Sequence, residues 1–384
     1  MTIQEIQSNE ELRQHEFPVT RKTIFLGHAG VCPLPRRVAD AMNRFNDHCT
    51  VGDQEESLPR GFFAGIREKV GRLIDAKPEE IAFVGPTSLA LSFIAGGLKF
   101  RRTDNVLVYQ DDYPSNVYPW MALADRGVEV RYLNTKELGR IRVNDVIGQV
   151  DENTRLVALA SCHFLAGYRM DVDAVGKALR ERGILFSVDA IQTIGAFPTS
   201  ARHVDFMAAD AHKWMLGPCA AGIMFVRKEA QEKLAPTTQG WHNVRCPNYV
   251  AQEALNYRTD ARRYEAGTAN LAGLAGMEAA IDLLLEVGIE NIAAELLRKR
   301  AWIIPALQAK GFEVLQANAP AEFQGGMITF HKPGADLAAL HQKLKEANIL
   351  ISLRGDRSGR KLLRISPHFY NTDAELQRFL ELLN

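Results

Sequence analysis

Between about residues 50 and 250 the chain alternates two kinds of segment, and that alternation narrows its possible folds sharply. Short apolar or β-branched runs occur at EEIAFV, NVLVYQ, VEVRYL, TRLVALA, GILFSVD and AGIMFV. Most are followed by helical stretches such as TSLALSFIAGGL, SNVYPWMALADRG and DVDAVGKALRERG. Strand runs without polar alternation imply strands covered on both faces. Strands separated by helices imply crossover connections, hence a mostly parallel central sheet with helices on both faces. This predicts a large α/β domain over residues 21–255.

The C-terminal part reads differently. Two long helical patterns begin at GTANLAGLAGMEAAIDLLLEVG. They are followed by FEVLQA, GGMITFH, a helix at LAALHQKLKEA, NILISL, KLLRIS and the closing helix DAELQRFLELL. The order is α+β, which predicts a smaller domain over 256–384, joined by residues 1–20. Two domains also suit a length of 384 residues.

Composition excludes several classes. Lysine plus arginine equals aspartate plus glutamate at 46 each, so no excess charge argues for nucleic acid or an anionic membrane. No apolar run reaches the roughly 18–20 residues of a membrane helix. The polar start, MTIQEIQSNEELRQHEF, lacks the pattern of a secretion signal, so a cytoplasmic location is expected. The five cysteines (Cys32, Cys49, Cys162, Cys219, Cys246) form no C-x-x-C pair. Neither a disulfide framework nor a metal site is expected.

Chemistry is sought at strand ends, because ligands of open α/β sheets sit beyond the carboxyl ends of the strands. GILFSVD ends in Asp189, which is either a helix cap or a charge held for a ligand. EEIAFVGPTS is a strand, a Gly-Pro turn, then Thr87 and Ser88 opening a helix whose free N–H groups favour an anion. AADAHKWMLGP places Lys213 in a run that otherwise reads as buried. A lysine in an apolar site loses its proton more easily and becomes a nucleophile toward carbonyls. Amine, carboxylate and phosphate cradle together are what pyridoxal 5′-phosphate requires: a Schiff-base lysine, a partner for the ring nitrogen and a phosphate site. A snorkelling surface lysine is the plainer alternative.

The stretches FSVDAIQTIGAFP, DFMAADAHKWMLGPCAAGIMFV and RRYEAGTANLAG resemble the class V aminotransferase family of fold-type I, pyridoxal-phosphate-dependent enzymes. The resemblance runs over roughly residues 24 to 384. It implies Lys213 as the Schiff-base lysine, Asp189 as partner of the pyridinium nitrogen and Gln192 as donor to the ring oxygen. It implies that His212 packs near the cofactor and that Thr87, with Ser88, binds phosphate. Thr268 is implied as a phosphate ligand supplied across a homodimer. Tyr113, in DDYPSNVYPW, stands where many relatives carry a histidine stacked on the ring; an aromatic face remains, without histidine's acid–base chemistry. Arg364, in LRISPHFYNT, matches the arginine that grips the substrate α-carboxylate. His28 and Ala29 in LGHAG, His163 in SCHFLAGYR and Arg354 in SLRGDRSG are implied as substrate contacts, His163 being equally readable as a satisfied histidine at a strand end.

Two departures follow. Asp210 replaces a serine that donates to phosphate in the desulfurase branch, so its carboxylate is expected to turn away or pair with a cation. The loop ahead of Arg364, SLRGDRSGRKLLRIS, lacks that branch's nucleophilic cysteine. The expected function is therefore a PLP-dependent transformation of an amino acid, with transamination first because it needs no extra group. Isopenicillin N epimerase-like epimerisation or lyase chemistry comes next, and cysteine desulfuration after these.

Overall fold

The computed structural model describes residues 1–383. After the short strand β1 (Ile24–Phe25), seven strands build the central sheet: β2 (Ile81–Phe83), β3 (Asn105–Val108), β4 (Glu129–Tyr132), β5 (Thr154–Ala160), β6 (Leu185–Asp189), β7 (Phe206–Asp210) and β8 (Gly222–Val226). Their order across the sheet is β2-β8-β7-β6-β5-β3-β4. Only β8 runs antiparallel to its neighbours. The fold is therefore the α/β arrangement with a mostly parallel central sheet that the segment alternation implies.

Alternation of side chains splits the core into two layers. Val106, Leu156, Ala158, Leu185, Phe206, Ala208 and Met224 pack on one face. Leu107, Val157, Leu159, Phe186, Val188, Met207 and Ile223 pack on the other. Each fully buried Val, Leu, Ile or Phe contributes about 1.5–3 kcal/mol of transfer free energy. The edge strand β4 is the exception, with Glu129 exposed and the next three residues half-buried.

Two segments differ from the sequence reading. β7 was not expected as a strand; its central alanines have little strand preference, and pairing on both sides, with β6 and β8, makes it one. SNVYPWMALADRG is not one helix. With Pro114 before it, the stretch forms three short turns, Pro114–Asn116, Tyr118–Met121 and Ala122–Arg126, since Pro114 and Pro119 each remove a backbone donor.

The C-terminal part holds β9 (Glu313–Val314), β10 (Ile328–His331), β11 (Ile349–Leu350), β12 (Ser352–Gly355) and β13 (Lys361–Ile365). Four of them form the antiparallel sheet β12-β13-β10-β9, and β11 pairs with β1. The helices Leu271–Val287 and Ile289–Ala309 precede this sheet. No helix among the described residues is long and apolar enough to cross a membrane.

Candidate active site

A cavity of about 220 Å³ opens at the carboxyl end of the central sheet, lined by residues that include Thr87, Tyr113, Asp189, Lys213, Arg354 and Arg364. Asp189 is the last residue of β6, and Lys213 follows the end of β7 by three residues. The loop after Lys213 is held in costly backbone: Leu216 and Ala220 both have φ of 58°, a left-handed conformation that non-glycine residues seldom adopt. Gly217 makes the turn possible, because a Cβ there would come 2.6 Å from the Cβ of Ala211.

Lys213 is 7% exposed, and its amine has no hydrogen bond or ion pair among the described residues. Burial lowers its pKa from 10.5 to about 8; Asp189 opposes the shift, while Arg364 and Arg354 add to it. Its Nζ lies 5.2 Å from the centroid of the Tyr113 ring. Tyr113 itself is 44% exposed at the cavity wall.

Asp189 accepts a hydrogen bond from the Ile191 N–H at 3.0 Å. Burial, then the nearby Asp112, pushes its carboxyl up to about 6. The Trp214 indole donates to Gln192 Oε1 at 2.8 Å, which turns the Gln192 amide nitrogen toward Ala29 O and the cavity. Asp210 turns away as expected. It accepts from Ala211 N at 2.8 Å and Ala220 N at 3.0 Å, and lies 2.9 Å from His212 Nδ1. The Asp210 N–H donates to Thr87 Oγ1 at 2.9 Å, leaving the Thr87 hydroxyl proton for another acceptor.

The helix Thr87–Gly97 starts after Pro86 with no side-chain cap, so its first N–H groups face the cavity unpaired. Ser88 is hydrogen-bonded to Ser115 at 2.7 Å. Arg364 is 1% exposed. One nitrogen, Nη1, donates to Phe164 O, while Nε and Nη2 are buried without partners. Burial, then Arg354, lowers its pKa to about 9. These groups fit pyridoxal phosphate with an amino-acid substrate: an amine without a partner, a buried carboxylate, an uncapped helix start and a buried guanidinium with two free donors.

The structure does not bring every predicted residue to the cavity. Ala29 lines it, but His28 is fully buried behind. Its Nδ1–H donates to Ser366 O at 2.8 Å, and its Nε2 accepts from the Tyr370 hydroxyl at 2.7 Å. His163 is likewise turned inward, between Asp111 O at 2.9 Å and Ala166 N at 2.9 Å. Burial lowers both imidazoles to about 4, so they are neutral packing residues in this geometry. Phe164 takes the place on the wall. Thr268 is outside the cavity, exposed and hydrogen-bonded to Glu55 at 3.2 Å.

Asp112 was missed. It is buried and accepts from Tyr113 N at 2.7 Å, Asn116 Nδ2 at 3.0 Å and Ala160 N at 3.1 Å. It thereby ties the Tyr113 segment to the end of β5. The paired acids that begin DDYPSNVYPW were its signal.

The sequence model described as Aminotransferase class-V matches residues 24–379. A probable cysteine desulfurase of Methanothermobacter thermautotrophicus is 28% identical over 403 residues, covering 97% of each chain. The uncharacterized aminotransferase YcbU of Bacillus subtilis is 26% identical, covering 97% of this chain and 96% of its own. Among solved structures, the apo cysteine desulfurase of Thermococcus onnurineus superposes with a TM-score of 0.88 at 24% identity, over 97% of this chain and 96% of the other. The cystine C-S lyase C-DES, in complex with its product cysteine persulfide, superposes with a TM-score of 0.87 at 20% identity, over 96% and 98%.

Proposed function

Because this chain belongs to the class-V aminotransferase family, we propose that it is a pyridoxal-phosphate enzyme acting at the α-carbon of an amino acid, and that its net reaction is transamination. When bound, the cofactor supplies an electrophilic aldehyde carbon and a cationic ring that takes up the electron pair released at Cα. Lys213 would hold the aldehyde, Asp189 the ring nitrogen, and Thr87, Ser88 and the helix N–H groups the phosphate. Tyr113 and His212 would flank the ring, with Gln192 at its oxygen. The two free donors of Arg364 would grip the α-carboxylate, a fork that lysine does not reproduce. Lys213, once neutral, is positioned to accept the Cα proton and would deliver a proton to the former aldehyde carbon, as transamination requires.

The observation that carries this reading is what lines the cavity: one deprotonatable amine, one buried carboxylate, a guanidinium fork and no thiol. Several relatives are named desulfurases, and desulfuration needs a thiolate to attack sulfur. Burial pushes the thiols of Cys32 and Cys162 up to about 12. A second reading, elimination of a β-substituent, is favoured by Tyr113, a phenol on the cavity wall with its ring centroid 5.2 Å from Lys213 Nζ, which would be the acid for a leaving group.

The test is a screen of amino acids against the holoenzyme with and without an added 2-oxo acid. Amino transfer that depends on the 2-oxo acid is expected. Ammonia and a 2-oxo product formed without the acceptor would establish the lyase instead, and persulfide on any of the five cysteines at comparable turnover would establish a desulfurase.

We further propose a homodimer in which Thr268 completes the phosphate site across the interface. Sedimentation should give a dimer, and Thr268→Ala should retain that dimer while releasing cofactor about tenfold more readily, the loss of roughly one charge-assisted hydrogen bond. A cofactor-loaded, active monomer rules this out.

A further inference from the structure

We propose that the substrate is an amino dicarboxylate, its side-chain carboxylate held by Arg354 while Arg364 holds the α-carboxylate. The inference rests on the reading of the cavity as an amino-acid site. Its starting point is the strand register. β12 and β13 pair antiparallel with Ser352 opposite Arg364 and Arg354 opposite Leu362. Side chains two residues apart share a sheet face, so Arg354 stands on the same face as Arg364, as its diagonal neighbour. Such neighbours are roughly 7–8 Å apart at the backbone, a gap two long side chains close. Both reach the same cavity.

Neither guanidinium has a counter-ion. Arg354 Nε is buried without a partner, and no ion pair or hydrogen bond of the Arg354 side chain occurs among the described residues. The acids of this loop and of two neighbouring strand ends are taken. Asp111 pairs with Arg357, and Asp356 pairs with Arg360 at 2.9 Å. Asp210 is occupied by backbone amides and His212. Two cations facing one cavity repel each other, and a fully buried guanidinium such as Arg364 is costly to leave unpaired; Arg354 is partly exposed, with only its Nε buried.

One carboxylate does not satisfy both. Arg364 already donates to Phe164 O and has one side-on pair left, Nε and Nη2. That pair matches one carboxylate bidentately. A substrate with a neutral side chain leaves Arg354 uncompensated; a second carboxylate compensates it. Phe164 and Tyr113, whose rings meet edge-on at 5.4 Å, add no charge to this part of the wall, and the Asp189 carboxylate and Lys213 amine of the same cavity are the groups assigned to the cofactor.

The test compares L-α-methylaspartate with 2-aminoisobutyrate, titrated calorimetrically into the holoenzyme. Both lack the α-proton, so binding is read apart from the reaction that follows. The parent should bind L-α-methylaspartate ten- to a hundredfold more tightly, the worth of one charge-assisted fork. Arg354→Gln should erase that preference, keep the affinity for 2-aminoisobutyrate within about twofold and keep the cofactor absorbance. Arg354→Lys should restore part of the preference. Equal binding of the two compounds by the parent, or equal weakening of both in Arg354→Gln, overturns the proposal; the latter would mean that Arg354 shares the α-carboxylate. Failure of both compounds to bind the parent overturns the amino-acid site itself, and this inference with it.

Discussion

Lys213→Ala protein should turn over no substrate and should lack the visible absorbance of a lysine-bound cofactor. General base catalysis by a positioned amine contributes about 10²–10⁴-fold. On the proposed reading the lysine would also anchor the cofactor, so the expected loss is at the upper end of that range or beyond. The fold should not suffer. A buried ammonium with no ion pair costs stability, so Lys213→Met should melt no lower than the cofactor-free parent. The parent carries its own check in pH. Burial disfavours the ammonium, so the neutral amine predominates above about pH 8 instead of above 10.5. The rate at which pyridoxal phosphate attaches to the apoprotein should rise with pH and bend near 8. A Lys213→Ala protein that still yields a cofactor adduct reducible by borohydride on another lysine would overturn the assignment.

Asp189→Asn should lower kcat by on the order of 10²–10³-fold, the usual cost of removing one preorganised electrostatic partner. The substitution is isosteric, and the amide oxygen can still accept from Ile191 N–H, so the end of β6 should keep its shape. What is lost is the negative charge that, on the proposed reading, would partner the ring nitrogen. Retention of the cofactor is expected, because Lys213, Thr87 and the helix start are untouched. A cofactor methylated at the ring nitrogen is cationic without needing a proton, so it should restore a large part of the activity of Asp189→Asn. A variant within fivefold of the parent, or no recovery with the methylated cofactor, would leave Asp189 as a structural cap.

Much of this chain could be read along its length. The apolar runs and the intervening helices determined a mostly parallel sheet, because burial on both faces leaves a continuous apolar signature. Lys213, Asp189 and Thr87 were legible for a related reason. Each sits within a few residues of a strand end or helix start, and the direction of such ends is set locally by the sheet itself.

Tertiary structure decided the rest. β7 became a strand because two neighbours pair with it, against the weak preference of its alanines. His28 turned inward because distant partners captured both ring nitrogens, the bond to Ser366 spanning 338 positions of the chain, and His163 because Asp111, 52 positions away, holds Nε2 while the nearby Ala166 N–H holds Nδ1. Asp112 gained its place from contacts to β5, and Thr268 stands apart from the cavity that Thr87 lines. Arg354 and Arg364 share a face only through the register of β12 on β13, and no spacing within either segment reveals it. Side-chain direction after a strand end is local, whereas which segments pack or pair together depends on contacts remote in sequence. That is why the chain alone pointed to Lys213, Asp189 and the Thr87 helix start, which meet in one cavity, and why only the folded structure decided which of the remaining residues face them.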